Sequence, residues 1–193
     1  MWELLQHMDE TLFHWVNRGW SSGLLDFWMP LVRNKYFWLP LYVFLIAYVL
    51  MNRSKPWWFL FCIGILIVSS DTLSSKVFKP VFKRLRPCNN TEMIVVQRVP
   101  CGSGYSFTSS HASNHFALST FLFLALASWP LWVRSLLMLW ALNVAIAQVY
   151  VGVHYPFDVL MGSLTGMVIG WAVYRYLFLK RSETSDELAG IDR

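Results

Sequence analysis

Charge is what this sequence has least of. Asp, Glu, Lys and Arg make up 14% of its 193 residues, against about 25% in soluble domains. That excludes an ordinary water-soluble fold. The start, Met1-Trp2-Glu3, lacks the basic region and apolar run of a cleavable signal peptide. No internal repeat is evident, which excludes a solenoid or array. The basic residues gather in one loop beside long apolar runs rather than along a binding face, so no nucleic-acid partner is expected. What is abundant is apolar and aromatic: 56% of residues are hydrophobic and 11 are Trp. This is the composition of a membrane protein, with Trp available for belts at the membrane–water boundary. A net charge of +5 suits contact with anionic headgroups or phosphate.

Periodicity predicts an all-α, integral-membrane helical bundle. Leu5, Met8, Leu12, Trp15 and Val16 recur at helical spacing. They predict an amphipathic helix lying in the interface. Ser21 or Ser22 caps a second short helix with Leu25, Trp28, Met29 and Val32 on one face. About five transmembrane helices follow: Tyr36 to Met51, Trp57 to Val77, His111 to Trp129, Leu131 to Tyr150, and Pro156 to Leu179. The reading is one domain over residues 1–181. Residues 1–34 form the interfacial helices, 78–110 a polar active-site loop, and 182–193 a disordered polar tail.

Chemistry concentrates at the ends of these spans. His154 and Asp158 are four apart, and Pro156 suits the first position of a helix. The Asp then accepts a proton from one ring nitrogen and leaves the other free to attack. A polar loop whose His caps a helix is the plainer alternative. Lys79 and Arg86-Pro87 enclose six residues, and Thr108-Ser109-Ser110-His111 opens an apolar run. All these segments fall at ends that must share one side of a five-span bundle.

In this order the segments resemble the signature motifs of the type 2 phosphatidic acid phosphatase superfamily: K-x6-R-P, P-S-G-H and S-R-x5-H-x3-D. The resemblance covers Asp71 to Asp158 and the flanking spans. It implies a membrane lipid phosphatase that works without a metal or other cofactor. His154 would be the nucleophile, passing through a phosphohistidine, and Asp158 would orient it. His111 would protonate the leaving oxygen. Lys79, Arg86, Ser109, Ser110 and the N–H groups opening the helix would hold the phosphate. The chain departs from the pattern at Thr108 and Ser110, and at Ala147-Gln148 in place of Ser-Arg. At the Arg position Gln148 would join the phosphate-binding set through a neutral hydrogen bond, without a charge. Undecaprenyl diphosphate is the favoured substrate. Phosphatidylglycerophosphate, phosphatidic acid and lipid A phosphates are the alternatives. A binding or transport protein that has lost turnover is the competing class, and Gln148 motivates it.

Other residues leave choices open. His111 and His115, one helical turn apart, with His154 and Asp158, make zinc conceivable. Asp71 inside an apolar run would cost about 2.5–3.5 kcal/mol at the bilayer centre. It therefore belongs near an edge, supporting the Lys79 and Arg86 cluster or capping the interface. Cys88 and Cys101 either form a disulfide or remain free thiols. The cations Arg53, Lys55, Arg134, Lys180 and Arg181 point to a cytoplasmic side by the positive-inside tendency. With the family resemblance, that predicts a bacterial inner-membrane protein whose site faces the periplasm.

Overall fold

The computed structural model describes residues 2–180. The expected polar tail, 182–193, lies outside the described residues. α1 spans Trp2–His14 and runs through a π turn, Trp15–Gly19. The apolar face drawn from the sequence is exposed, with Leu5, Met8, Leu12 and Trp15 all on the surface. Asp9, Phe13 and Asn17 of the opposite face are buried. Leu and Trp facing outward suit a helix whose outer medium is lipid, so here the polar side packs inward. α2 spans Gly23–Val32, and its cap is Ser22, whose Oγ accepts from Leu25 N at 3.4 Å.

α3 covers Leu39–Asn52 and α4 covers Pro56–Thr72. The chain continues without a break through a π segment, Leu73–Phe78, into α5, Lys79–Phe82. It stops at Lys83, which adopts φ 47°. The helical run therefore outlasts its expected end at Val77 and carries Lys79 on a helix. α6 is Ser110–Ala125, α7 Leu131–Tyr150, and α8 Pro156–Ala172, prolonged by a π segment to Leu179. Pro opens α4 and α8, where its missing N–H is harmless.

The bundle is helical throughout the described residues, as expected. Three helices are long and apolar enough to cross a membrane: the run from Pro56, Leu131–Tyr150 and Pro156–Leu179. α3 and α6 have 14 and 16 residues. At 1.5 Å per residue they rise only about 21 and 24 Å, short of the ~30 Å hydrocarbon core. Three of the five expected spans therefore meet that length by themselves.

α6 is the axis, packed against α4, α7 and α8. Its closest partner is α8, through Gly162, Gly166 and Gly170. A Cβ on Gly166 would lie 2.2 Å from Ser113 O, and one on Gly170 would lie 2.4 Å from Ala117 O. Small residues every fourth position let two membrane helices approach backbone to backbone. Ser70 of α4 and Ser113 of α6 join hydroxyls at 2.7 Å in the buried seam.

The long loop between α5 and α6 is fastened at several points. Cys88 and Cys101 are joined in a disulfide. Asn17 clamps the loop from α1: its Oδ1 accepts from Val96 N at 2.9 Å, and its Nδ2 donates to Val96 O and Tyr150 O at 2.9 and 2.8 Å. Arg98 donates to Asn17 O and Tyr150 O, both at 2.8 Å, and pairs with Asp26. Gly152, at φ +90°, passes beneath this clamp, where a Cβ would come 2.8 Å from Val95 Cγ1. Two unconnected observations thus require glycine immediately before Val153-His154.

Candidate active site

The site forms where α5, the loop, the start of α6 and the start of α8 converge. Burial and backbone bonds fix His154. Gln148 O accepts from both Val153 N and His154 N at 3.2 Å, ending α7 in a tight reversal. The imidazole is 2% exposed, so its two faces are committed. Nε2 looks toward Arg86, whose Nη1 lies 3.4 Å away. Nδ1 looks toward Asp158 Oδ2 at 3.6 Å, an ion-pair distance rather than a hydrogen bond. Burial holds the His154 pKa below the ordinary histidine value, with Asp158 pulling it back up. Nε2 is therefore the ring nitrogen presented to the Arg86 guanidinium.

Two hydrogen-bond donors position the Asp158 carboxylate. Its Oδ2 accepts from Tyr155 N at 2.9 Å, closing a capping box at the start of α8. Its Oδ1 accepts from Arg84 Nη1 at 2.8 Å. Arg84 in turn bonds Asp9 Oδ2 through Nη2 at 2.6 Å and lies 3.8 Å over the Tyr155 ring. Asp9 closes the circuit by accepting from Phe157 N at 2.8 Å. Burial raises the Asp9 pKa, and Arg84 works against that rise. Arg84 is thus a brace for the carboxylate, and α1 reaches the His–Asp pair through it. Neither Asp9 nor this use of Arg84 was visible as a motif. The available signal was Asp9, Phe13 and Asn17 at four-residue steps along one face.

The remaining predicted residues separate into those at the pocket and those turned from it. His111, in the first turn of α6, is within electrostatic reach of His154, Lys79 and Arg33. Lys79 is within reach of Arg86 and Asp158. Ser109 caps α6, its Oγ accepting from Ala112 N at 3.4 Å, while its own N–H goes to Asp158 O at 3.1 Å. The Ser110 hydroxyl faces Ser74 and Ser75 at 3.0 and 3.1 Å. What Ser110 and His111 offer an anion is their backbone N–H, which has no acceptor inside the first helical turn. Gln148 differs from expectation. It is fully buried, and its Nε2 is occupied by Val144 O at 3.2 Å. A side chain bonded back to its own helix is not aimed at a phosphate.

His115 does not join His111 in a ligand pair. Its Nδ1 meets His111 O at 2.8 Å and its Nε2 meets Tyr42 OH at 3.4 Å. Among the described residues no three His, Cys, Asp or Glu side chains are placed to hold a metal ion. Asp71 is exposed, with its Oδ1 3.5 Å from Ser75 Oγ, and the helix runs well past it. Its charge still acts on Lys79.

Two histidines, a carboxylate and several cations thus converge from separate helix ends. A family model described as the PAP2 superfamily matches residues 55–182, and the chain belongs to that superfamily. It is 30% identical over 182 residues to a lipid A 4'-phosphatase of Bacteroides thetaiotaomicron, covering 90% of this chain and 79% of that one. It is 31% identical over 153 residues to an undecaprenyl-diphosphatase of Sulfolobus acidocaldarius, covering 78% of this chain and 68% of that one. The crystal structure of Aquifex aeolicus LpxE superimposes with a TM-score of 0.67 at 25% identity, covering 86% of this chain and 94% of that one.

Proposed function

We propose that this protein removes a phosphate from a lipid headgroup by transfer to His154. The observation that carries this is the orientation of the His154 ring, with Nε2 toward Arg86 and Nδ1 toward Asp158. Nε2 attacks the phosphorus, and the P–O bond to the lipid breaks in line with it. His111 delivers a proton to that leaving oxygen. Asp158 stabilises the positive charge that develops on the ring, in the manner of an acid–base triad. Arg86, Lys79 and the N–H groups of Ser110 and His111 neutralise the phosphoryl oxygens. Water, with His111 now as base, then cleaves the phosphohistidine and restores the enzyme.

A lipid A type phosphomonoester is the first substrate reading, because similarity to the lipid A 4'-phosphatase runs through 90% of the chain, N-terminal helices included. Undecaprenyl diphosphate, favoured from the sequence, is the second and rests on the shorter similarity. Assay of the purified protein in EDTA against both lipids, phosphatidic acid and phosphatidylglycerophosphate decides between them. Release from none of these would overturn the reading and return the binding or transport alternative. For the membrane side, Arg53 donates to Ala125 O and Arg134 to Phe123 O, both at the end of α6 away from the site. With cations at that end and a disulfide at the other, the site faces the oxidising side of a bacterial inner membrane.

The pH profile follows from the environment of His154. The nucleophile works neutral, and burial keeps its pKa below 6.5. The acid limb of activity is therefore expected at lower pH than for an ordinary histidine. Asp158→Asn removes the group that pulls this pKa upward. The acid limb of kcat/KM is expected to move to lower pH while the plateau falls. A limb that moves to higher pH would refute the assignment.

Asp9→Asn tests the brace. It keeps the shape but weakens the grip on Arg84, so Asp158 is less well held. A drop in kcat of about tenfold with KM little changed is expected, as for other groups that orient a catalytic residue. Unchanged kcat would remove α1 from the working site.

A further inference from the structure

Arg33 is a cation that the mechanism above leaves unused. It stands at the C-terminal end of α2, where Trp38 Nε1 fixes the corner by donating to Val32 O at 2.6 Å. Val32 is fully buried, in one cluster with Ala147, Val151 and Val153. Those residues adjoin Gln148 and His154 in the chain. The corner carrying Arg33 thus shares a buried cluster with the turn that carries His154.

The surroundings of Arg33 are wrong for a structural arginine. Its Nε is buried and has no hydrogen-bond partner among the described residues. It belongs to none of the salt bridges formed there. The charge that acts on it is Arg86, of the same sign, and Arg33 itself acts on His111. A partly buried guanidinium within electrostatic reach of another guanidinium and an imidazole incurs both desolvation and repulsion. A bound anion reverses both penalties, and a guanidinium fork matches phosphate oxygens. Two other arginines near the site are already engaged. Arg84 is held by Asp9 and Asp158, and Arg98 by Asp26 and two carbonyls.

We propose that Arg33 is a phosphate-binding residue of this site, supplying from the α2–α3 corner the guanidinium absent at Gln148. With Arg86 it grips the non-bridging oxygens of the phosphoryl group while His111 serves the leaving oxygen. The assignment rests on the His154 reading and adds a specific residue to it. It also accounts for Gln148: with the charge delivered from another helix, that position is free to hold the backbone of the α7–α8 turn.

The test compares wild type, Arg33→Gln and Arg33→Lys on the best lipid substrate, with inorganic phosphate as competitor. Arg33→Gln is expected to lower kcat/KM by ~10²-fold, the effect of losing one transition-state donor. The inhibition constant for phosphate should rise at least about tenfold. Arg33→Lys should recover part of both. The thermal midpoint of Arg33→Gln should hold or rise, because an unpaired buried charge is removed. Kinetics and phosphate inhibition within about threefold of wild type would overturn the proposal. So would losses that simply follow a lowered thermal midpoint. His154→Ala, run in parallel, separates the two claims: turnover surviving in that variant overturns the nucleophile assignment whatever Arg33 does.

Discussion

His154→Ala is expected to lower phosphate release by at least ~10³-fold, because no other side chain at the proposed site is placed to act as nucleophile. His111 is within electrostatic reach of His154 but opens α6, where the proposed mechanism gives it the leaving oxygen. The variant should fold, since His154 makes no strong side-chain hydrogen bond and its backbone bonds to Gln148 O remain. A quench of turnover with labelled lipid should trap an acid-labile phosphoprotein in wild type and none in the variant. Activity above about one-tenth of wild type would place the nucleophile elsewhere. His111→Ala separates the roles. It should slow turnover of a lipid phosphate more than that of an activated ester whose leaving group needs no proton.

The second large effect belongs to the fold. Gly166→Leu is expected to destabilise the bundle by at least ~3 kcal/mol, because overpacking here meets backbone. The added Cβ alone would lie 2.2 Å from Ser113 O and 2.9 Å from Ala117 N. Neither atom can yield without shifting α6, the helix that presents His111. Thermal unfolding in detergent reads the loss, and activity should fall with it. Gly64→Ala is the contrasting case. Nothing lies within 4 Å of its Cβ position, so the exchange should be neutral or stabilising by up to about 1 kcal/mol. Equal midpoints for the two variants would mean that α6 and α8 are not in backbone contact.

The parts of the site that sequence exposes are those whose chemistry depends on spacing along the chain. His154 with Asp158, Lys79 with Arg86, and the Ser109 cap before His111 each sit at a helix end, and the bundle then gathers those ends. What stays hidden depends on contacts across the chain. Asp9 was passed over because an acidic residue on an amphipathic helix is normally a solvated one. Lipid outside the bundle inverts that rule and turns Asp9 and Asn17 inward. Arg33 stands beyond the three motifs and enters only through the packing of Val32 on Ala147 and Val153. Gln148 was assigned by its place in a motif, and its bond to Val144 O shows that place and orientation are separate facts. The four-residue step of Gly162, Gly166 and Gly170 was readable, and it marks the tightest helix contact in the molecule.

The outward-facing leucines and tryptophan of α1 have one further consequence. Their other side, at Asp9, completes the circuit that steadies Asp158. Asp158 is therefore tied through Arg84 and Asp9 to a helix whose other face is exposed apolar surface. On the proposed reading of the site, activity should then respond to bilayer composition and to the loss of annular lipid during purification.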